Sequence, residues 1–304
     1  MADDLTPRFT PPSPEQVDAH LRSYPPSPPS KWRARAPWLV ALALIGMSYL
    51  TAGPVSGLLP WAALAWLFGH SMVLARRASA LEAQVRRTQE IAMLRRYPEA
   101  LRRGWRQLPR VVASPMLHGQ TVAMIAHCLD TLGSYDAAVV GYDYLLKRMA
   151  PGQPMTVHIG VSRAAAMLGA ERLSDADDAI RRLRGEVEPF RNTPISAAYR
   201  LAQLAQQVRT NHFAEGVRES AGLVETLRPL GVEAGYGHAL MALCHYHCPD
   251  ADTPSGVDPG ANPDSGTTPA HRSARTWWRQ ATLLLPAGSL LHRFPELAPL
   301  TELS

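Results

Sequence analysis

The sequence predicts an all-α protein: a two-helix transmembrane hairpin near the N-terminus, followed by a solenoid of antiparallel helix pairs. Three observations predict it. Residues 36–75 contain no Asp, Glu, Lys or Arg and are bounded by basic residues on both sides. Ala, Leu and Arg are abundant, which suits helices, and no run of β-branched residues reads as a strand. After residue 110, small, aromatic and aliphatic residues recur at intervals close to one helix pair.

The 304 residues carry a net charge of +5, distributed in blocks. Residues 1–35 hold five basic and four acidic side chains. Residues 76–110 hold ten Arg against Glu82, Glu90 and Glu99, a net of +7, and residues 111–304 hold sixteen basic and nineteen acidic, a net of −3. A basic block that directly follows an apolar segment fits anionic lipid headgroups, so anionic membrane lipids are expected near Arg76–Arg110 and no nucleic acid is expected as a partner. The three cysteines, Cys128, Cys244 and Cys248, are too few for a disulfide framework.

Forty residues in one helix would reach about 60 Å at 1.5 Å per residue, against a bilayer core of about 30 Å. Two spans therefore fit better than one. Thr51-Ala52-Gly53-Pro54-Val55-Ser56-Gly57 supplies turn chemistry between them, with spans near Pro37–Thr51 and Leu58–Ala75. Lys31, Arg33 and Arg35 precede the first span; Arg76, Arg77, Arg86 and Arg87 follow the second. The positive-inside rule then makes this an integral protein of an inner or plasma membrane with both termini cytoplasmic. A cleaved signal peptide fits poorly, because the apolar core follows a 35-residue polar lead; a soluble helical hairpin is the other competing reading.

The flanking segments read as follows. Residues 1–35 are expected to be a disordered tail, with eight prolines in the first thirty positions. Residues 76–109 form a basic juxtamembrane helix, either lying on lipid or continuing in solvent from the second span. Residues 249–271 hold five prolines, three glycines and four aspartates and read as a disordered insertion. Residues 287–304 read as a C-terminal tail.

Between residues 110 and 286 lies the repeat signal. Its clearest unit runs from Ala126 to Leu145, with Ala126, Gly133, Tyr135, Ala138 and Tyr142 at its marked positions and Pro151 behind it. This unit resembles a tetratricopeptide repeat, in which a small residue lets two antiparallel helices approach and aromatics fill the flanks. Weaker units follow at Ala164–Leu183, at Leu201–Val224 and, split by the insertion, at Tyr236–Leu243 with Ala274, Trp278 and Ala281. The small-residue positions are then 138, 176, 217 and 274, in steps of 38, 41 and 57, against a family period of 34. Tyr97 and Ala100 mark a degenerate earlier unit. A plain antiparallel bundle would also place apolar residues at such intervals.

The resemblance implies a concave first-helix face that takes a protein or peptide partner, with Gln120, Ala123, His127 and His158 on it. A carboxylate clamp is not implied, because Ala123, His127, Ser162, Tyr199 and Gln203 stand where Lys, Asn and Arg would be needed. No phosphate loop, dinucleotide motif or nucleophile elbow is present, so no enzyme, cofactor or metal site is expected. Cys244-His245-Tyr246-His247-Cys248 holds four zinc-type side chains, but on one helix they point apart. The sequence thus reads as a membrane-anchored interaction scaffold with a cytoplasmic repeat domain. The alternative is a non-catalytic subunit or regulator of a membrane transport or secretion complex.

Overall fold

A computed structural model describes residues 10–27, 31–50, 58–220, 222–248 and 269–303. Every regular element among them is helical. The chain divides into two compact units, residues 1–128 and 129–304.

The first unit opens where an unfolded tail was expected. Pro14–Ser23 is a helix, α1. Ser13 caps it: its hydroxyl accepts from the Gln16 N–H, the Gln16 side chain accepts from the Ser13 N–H, and Pro14 takes the first helical position, where no N–H is needed. Val17 and Leu21, four apart, share a face and are fully buried. The helix is held from outside as well. The His20 ring meets Trp105 edge-on at 4.8 Å, the Ser27 N–H donates to Val112 O, and His118 Nε2 lies 2.9 Å from Tyr24 O. Proline richness set the expectation of disorder, but a capping box and two buried aliphatics outweigh it.

The transmembrane hairpin is corrected. The segment forms α2 (Lys31–Leu50) and α3 (Leu59–Met93), which pack against each other, but among the described residues no helix is long and apolar enough to cross a membrane. The helices do not break where the charges begin, and that is the reason. α2 takes in Lys31, Arg33 and Arg35, so its uncharged part from Pro37 to Leu50 is only about 21 Å long at 1.5 Å per residue. α3 runs without interruption through Arg76 and Arg77, and its uncharged part is diluted by Pro60, Gly69, His70 and Ser71. No boundary exists at residue 75, and the expected turn at Thr51–Gly57 lies outside the described residues. The orientation and the integral-membrane placement read from flanking charge presupposed two spans.

Beyond residue 80, α3 becomes an ordinary packing helix. Val85, Thr88 and Ala92 are buried, and Val85 joins Val111 and Leu117 in a cluster flanked by Leu81. The neighbouring helices are α4 (Tyr97–Val111) and α5 (Pro115–Thr131). Gln107 donates to Thr88 Oγ1 at 2.7 Å and to Gln84 O, tying α4 to α3. Gly104 lets α4 close on α5: a Cβ there would lie 2.8 Å from Ile125 Cγ1.

The second unit continues with α6 (Tyr135–Leu146), α7 (Pro154–Gly169), α8 (Leu173–Val187), α9 (Pro194–Arg209), α10 (Phe213–Arg218) and α11 (Leu223–Leu227). It closes with α12 (Ala234–His247), α13 (Pro269–Leu284), α14 (Ala287–Arg293) and a 3-10 segment at Pro295–Leu303. α7 packs on α6, α8 and α9; α9 packs on α8, α10 and α12; α12 packs on α13. Residues 249–268 of the expected insertion lie outside the described residues.

A single turn recurs between helices. Arg95, Gly133, Glu171 and Asn211 each have φ near +60 to +79°. Each following N–H reaches back five residues: Arg96 to Ile91 O, Ser134 to Leu129 O, Arg172 to Met167 O and His212 to Gln207 O, at 2.8–3.1 Å. This is the Schellman closure, which satisfies the last carbonyls of one helix while redirecting the chain into the next. The second helices then start at Tyr97, Tyr135, Leu173 and Phe213. Three residues on stand Ala100, Ala138, Ala176 and Gly216, all buried. The small residue of the third pair is therefore Gly216 and not Val217, three positions after the helix start at Phe213. A Cβ at 216 would lie 2.7 Å from Cys244 Sγ. The same turn geometry is present at Arg95–Arg96, ahead of Tyr97 and Ala100.

The C-terminal stretch also differs from the expected tail. Leu290, Leu297 and Leu300 are fully buried. Arg293 grips the C-terminal end of α5, donating to both carboxylate oxygens of Asp130 at 2.9 and 3.0 Å and to its carbonyl at 3.0 Å. Phe294 meets the Tyr236 ring edge-on, and Glu296 pairs with Arg209 at 3.2 Å.

Candidate functional site

The expected partner-binding residues lie on first helices of the pairs. On α5, Gln120, Ala123 and His127 fall at spacings of three and four and so share one face. His127 is exposed, Gln120 and Ala123 half-buried, and the His127 ring meets Tyr97 edge-on at 6.1 Å. Met116, four residues before Gln120, extends the face and is 65 % exposed. On α7, Met155, His158 and Ser162 repeat the arrangement, with Met155 and His158 exposed and Ser162 half-buried. The remaining faces of these helices carry the core, with Val122, Ile125 and Leu129 on α5 and Val157, Val161 and Ala164 on α7. The structure brings together Gln120, Ala123 and His127; His158 belongs to the other unit and is described with α7.

α9 departs from this pattern. Tyr199 is buried, its hydroxyl donates to Ile180 O at 3.2 Å, and Gln203 Nε2 donates to the same hydroxyl at 3.2 Å. Burial pushes the Tyr199 phenol up, so it remains a protonated donor. Arg200 bridges to Glu219 at 2.8 Å and to Gln203, while Gln207 donates to Glu219. Ser196 is committed to the N-terminal cap of α9 with Thr193. The polar groups of α9 are thus paired with one another and with neighbouring elements. The exposed character of α5 and α7, Met with His, is softer and less charged.

The Cys/His run at the end of α12 diverges as its helical spacing requires. Cys244 is buried against Gly216, His245 is buried beside Trp277 and His247 is stacked on Phe213 at 4.4 Å. Among the described residues, no group of three His, Cys, Asp or Glu could hold a metal ion. Burial pushes the Cys128 and Cys244 thiols up to about 12, so at neutral pH both are protonated and poor nucleophiles. His238, buried on α12 against Trp277, is held below the usual histidine range by burial, partly offset by a hydrogen bond with Gln280.

No protein-family model, no curated protein and no solved structure matches the chain.

The reading of the sequence missed the two exposed methionines. Their signal was available: Met116 and Met155 stand one or more helical turns ahead of the expected residues on the same faces. It also missed Arg293, since nothing local to residues 287–304 shows that an acid 163 residues earlier waits for it.

Proposed function

We propose that this protein is a protein-binding scaffold whose helix pairs are of the tetratricopeptide kind. The first-helix faces of α5 and α7 would take short segments of a partner protein. The observation that carries this reading is the exposed stripe Met116–Gln120–Ala123–His127, repeated in kind by Met155–His158–Ser162, on helices whose other sides are buried. Methionine adapts its shape to varied apolar side chains, and the imidazole and carboxamide groups can hydrogen-bond to a peptide backbone. The absence of Lys and Arg from both stripes points to an apolar segment and away from an acidic peptide. The recurring turn, the small residue three positions into each second helix and the aromatics at Tyr97, Tyr135 and Phe213 support the family assignment.

The test is selection of displayed peptides on the full chain, followed by affinity measurement. Selected peptides should be rich in aliphatic side chains. They should lose about tenfold or more in affinity for Met155→Glu/His158→Glu or Met116→Glu/His127→Glu, the loss of at least one buried anchor. Equal affinity for the wild-type chain and for both variants would remove these faces from the function.

A further inference from the structure

One surface of the first unit is left uncovered. Between Trp38 and Leu50 on α2, and between Leu58 and Leu74 on α3, large apolar side chains point outward around the hairpin. Trp38, Leu42, Tyr49, Trp61, Leu64 and Phe68 are all more than half exposed. Of the residues whose burial is described in these stretches, only Ala41 and Ala63 are buried. The two helices pack on each other, and both of these buried residues are small.

A folded protein partner presents one face and covers one side of such a hairpin. A second copy would likewise cover one side and leave the opposite side wet. Helices that are apolar all round require a surrounding apolar medium. α3 also changes character along its length: after Ala75 it exposes Arg76, Arg77, Arg86 and Arg87 against Glu82 and Glu90. Arg35, exposed, stands at the entry to the apolar part of α2. Both chain ends of the apolar surface are thus marked by cations. Indole and phenol rings at Trp38, Tyr49, Trp61 and Trp66 suit the boundary between acyl chains and headgroups. Acyl chains match the apolar circumference and anionic headgroups match the arginines.

We propose that the α2–α3 hairpin seats this protein in a lipid surface bearing anionic headgroups, entering it without crossing. The uncharged part of α2, about 21 Å long, is shorter than a hydrocarbon core of about 30 Å. The proposal concerns different residues from those of the partner-binding reading and stands or falls separately from it.

The experiment is flotation of the full chain with vesicles of phosphatidylcholine alone or of phosphatidylcholine with phosphatidylglycerol, beside light scattering in vesicle-free buffer. The chain is expected to float with the mixed vesicles and less with the neutral ones. Leu64→Glu/Phe68→Glu should lower the bound fraction about tenfold or more, since each carboxylate must be carried into hydrocarbon. Arg76→Ser/Arg77→Ser/Arg86→Ser/Arg87→Ser should erase the preference for anionic vesicles and the weakening by salt. Helical circular dichroism and melting temperature, unchanged in both variants, establish that they fold. Three outcomes overturn the proposal: no flotation with either vesicle, flotation indifferent to Leu64→Glu/Phe68→Glu, or a discrete oligomer in buffer that fails to float and that this variant converts to monomer. The last would assign the hairpin to a second copy. Peptide affinity of the Met155→Glu/His158→Glu variant is read independently of all three.

Discussion

α2 and α12 are both strongly apolar helices, and they meet opposite fates. In α12 the residues from Gly237 to His245 are all buried, enclosed by α9, α10 and α13. In α2 nearly every large side chain from Trp38 to Leu50 is exposed. Composition does not separate them; neighbours do. α12 carries Gly235 and Gly237, where Leu285 and Leu227 approach so closely that a Cβ would lie 3.0 and 2.1 Å from their methyl groups. Among the described residues, Ala41 alone of α2 is buried, and α3 is the helix on which α2 packs. An apolar helix thus becomes core only where the chain also supplies small residues and further helices to surround it.

The comparison can be broken or sharpened by measurement. The largest effect is expected at the junction that closes the second unit. Arg293→Ala leaves the Asp130 carboxylate largely buried without its partner and should cost about 3–5 kcal/mol in chemical denaturation. A cost below about 1 kcal/mol would show that the C-terminal segment is not integral to the unit. Next comes the direct contrast between the two apolar helices. Leu240→Ala, fully buried on α12, should cost about 2–5 kcal/mol. Leu64→Ala, 58 % exposed on α3, should stay within about 0.5 kcal/mol in vesicle-free buffer. Equal costs would mean that the hairpin is covered in solution.

Smaller effects are expected at the repeated turns. Gly133→Ala forces a Cβ into the left-handed region at φ 79° and should cost about 1 kcal/mol. Glu171→Gly relieves that strain at φ 60° and should gain a fraction of it, because glycine also frees the unfolded chain. Opposite signs in thermal melts at these two equivalent positions would establish that the turn is one device used twice.

The smallest effect is the acid response of α12. The folded-state pKa of His238 lies below its ordinary value of 6.5, so the unfolded chain binds its proton more readily. The stability this group contributes is complete above pH 6.5 and is lost as pH falls below that value. Melting temperatures at pH 7.5 and 5.5 should therefore differ less for His238→Gln than for the wild-type chain. His20, also held low by burial, supplies an acid response of its own from the first unit.

What could be read from the residues was unevenly distributed. Ala138, Ala176 and Ala274 stand out as small residues on apolar helix faces, and all three are fully buried. Val217 was misplaced by one because a glycine beside it leaves no pattern of its own; only Cys244, 28 positions later, shows why position 216 must be small. α1 was visible in principle through Ser13, Pro14 and Gln16, but the prolines around it argued louder. Of the expected partner face, Gln120, Ala123 and His127 share one side of α5 because helical spacing alone requires it.

By itself the sequence determined the helical class and the turn at Gly133, because periodicity and a glycine act through neighbouring residues only. It also determined where the apolar and basic blocks lie. Only the tertiary structure decided which apolar helix is core and which is surface, that α3 runs through its arginines without a break, and that Arg293 closes on Asp130. Those outcomes depend on contacts between residues far apart in the chain, and hydrophobic burial, being non-directional, does not announce its partner in advance.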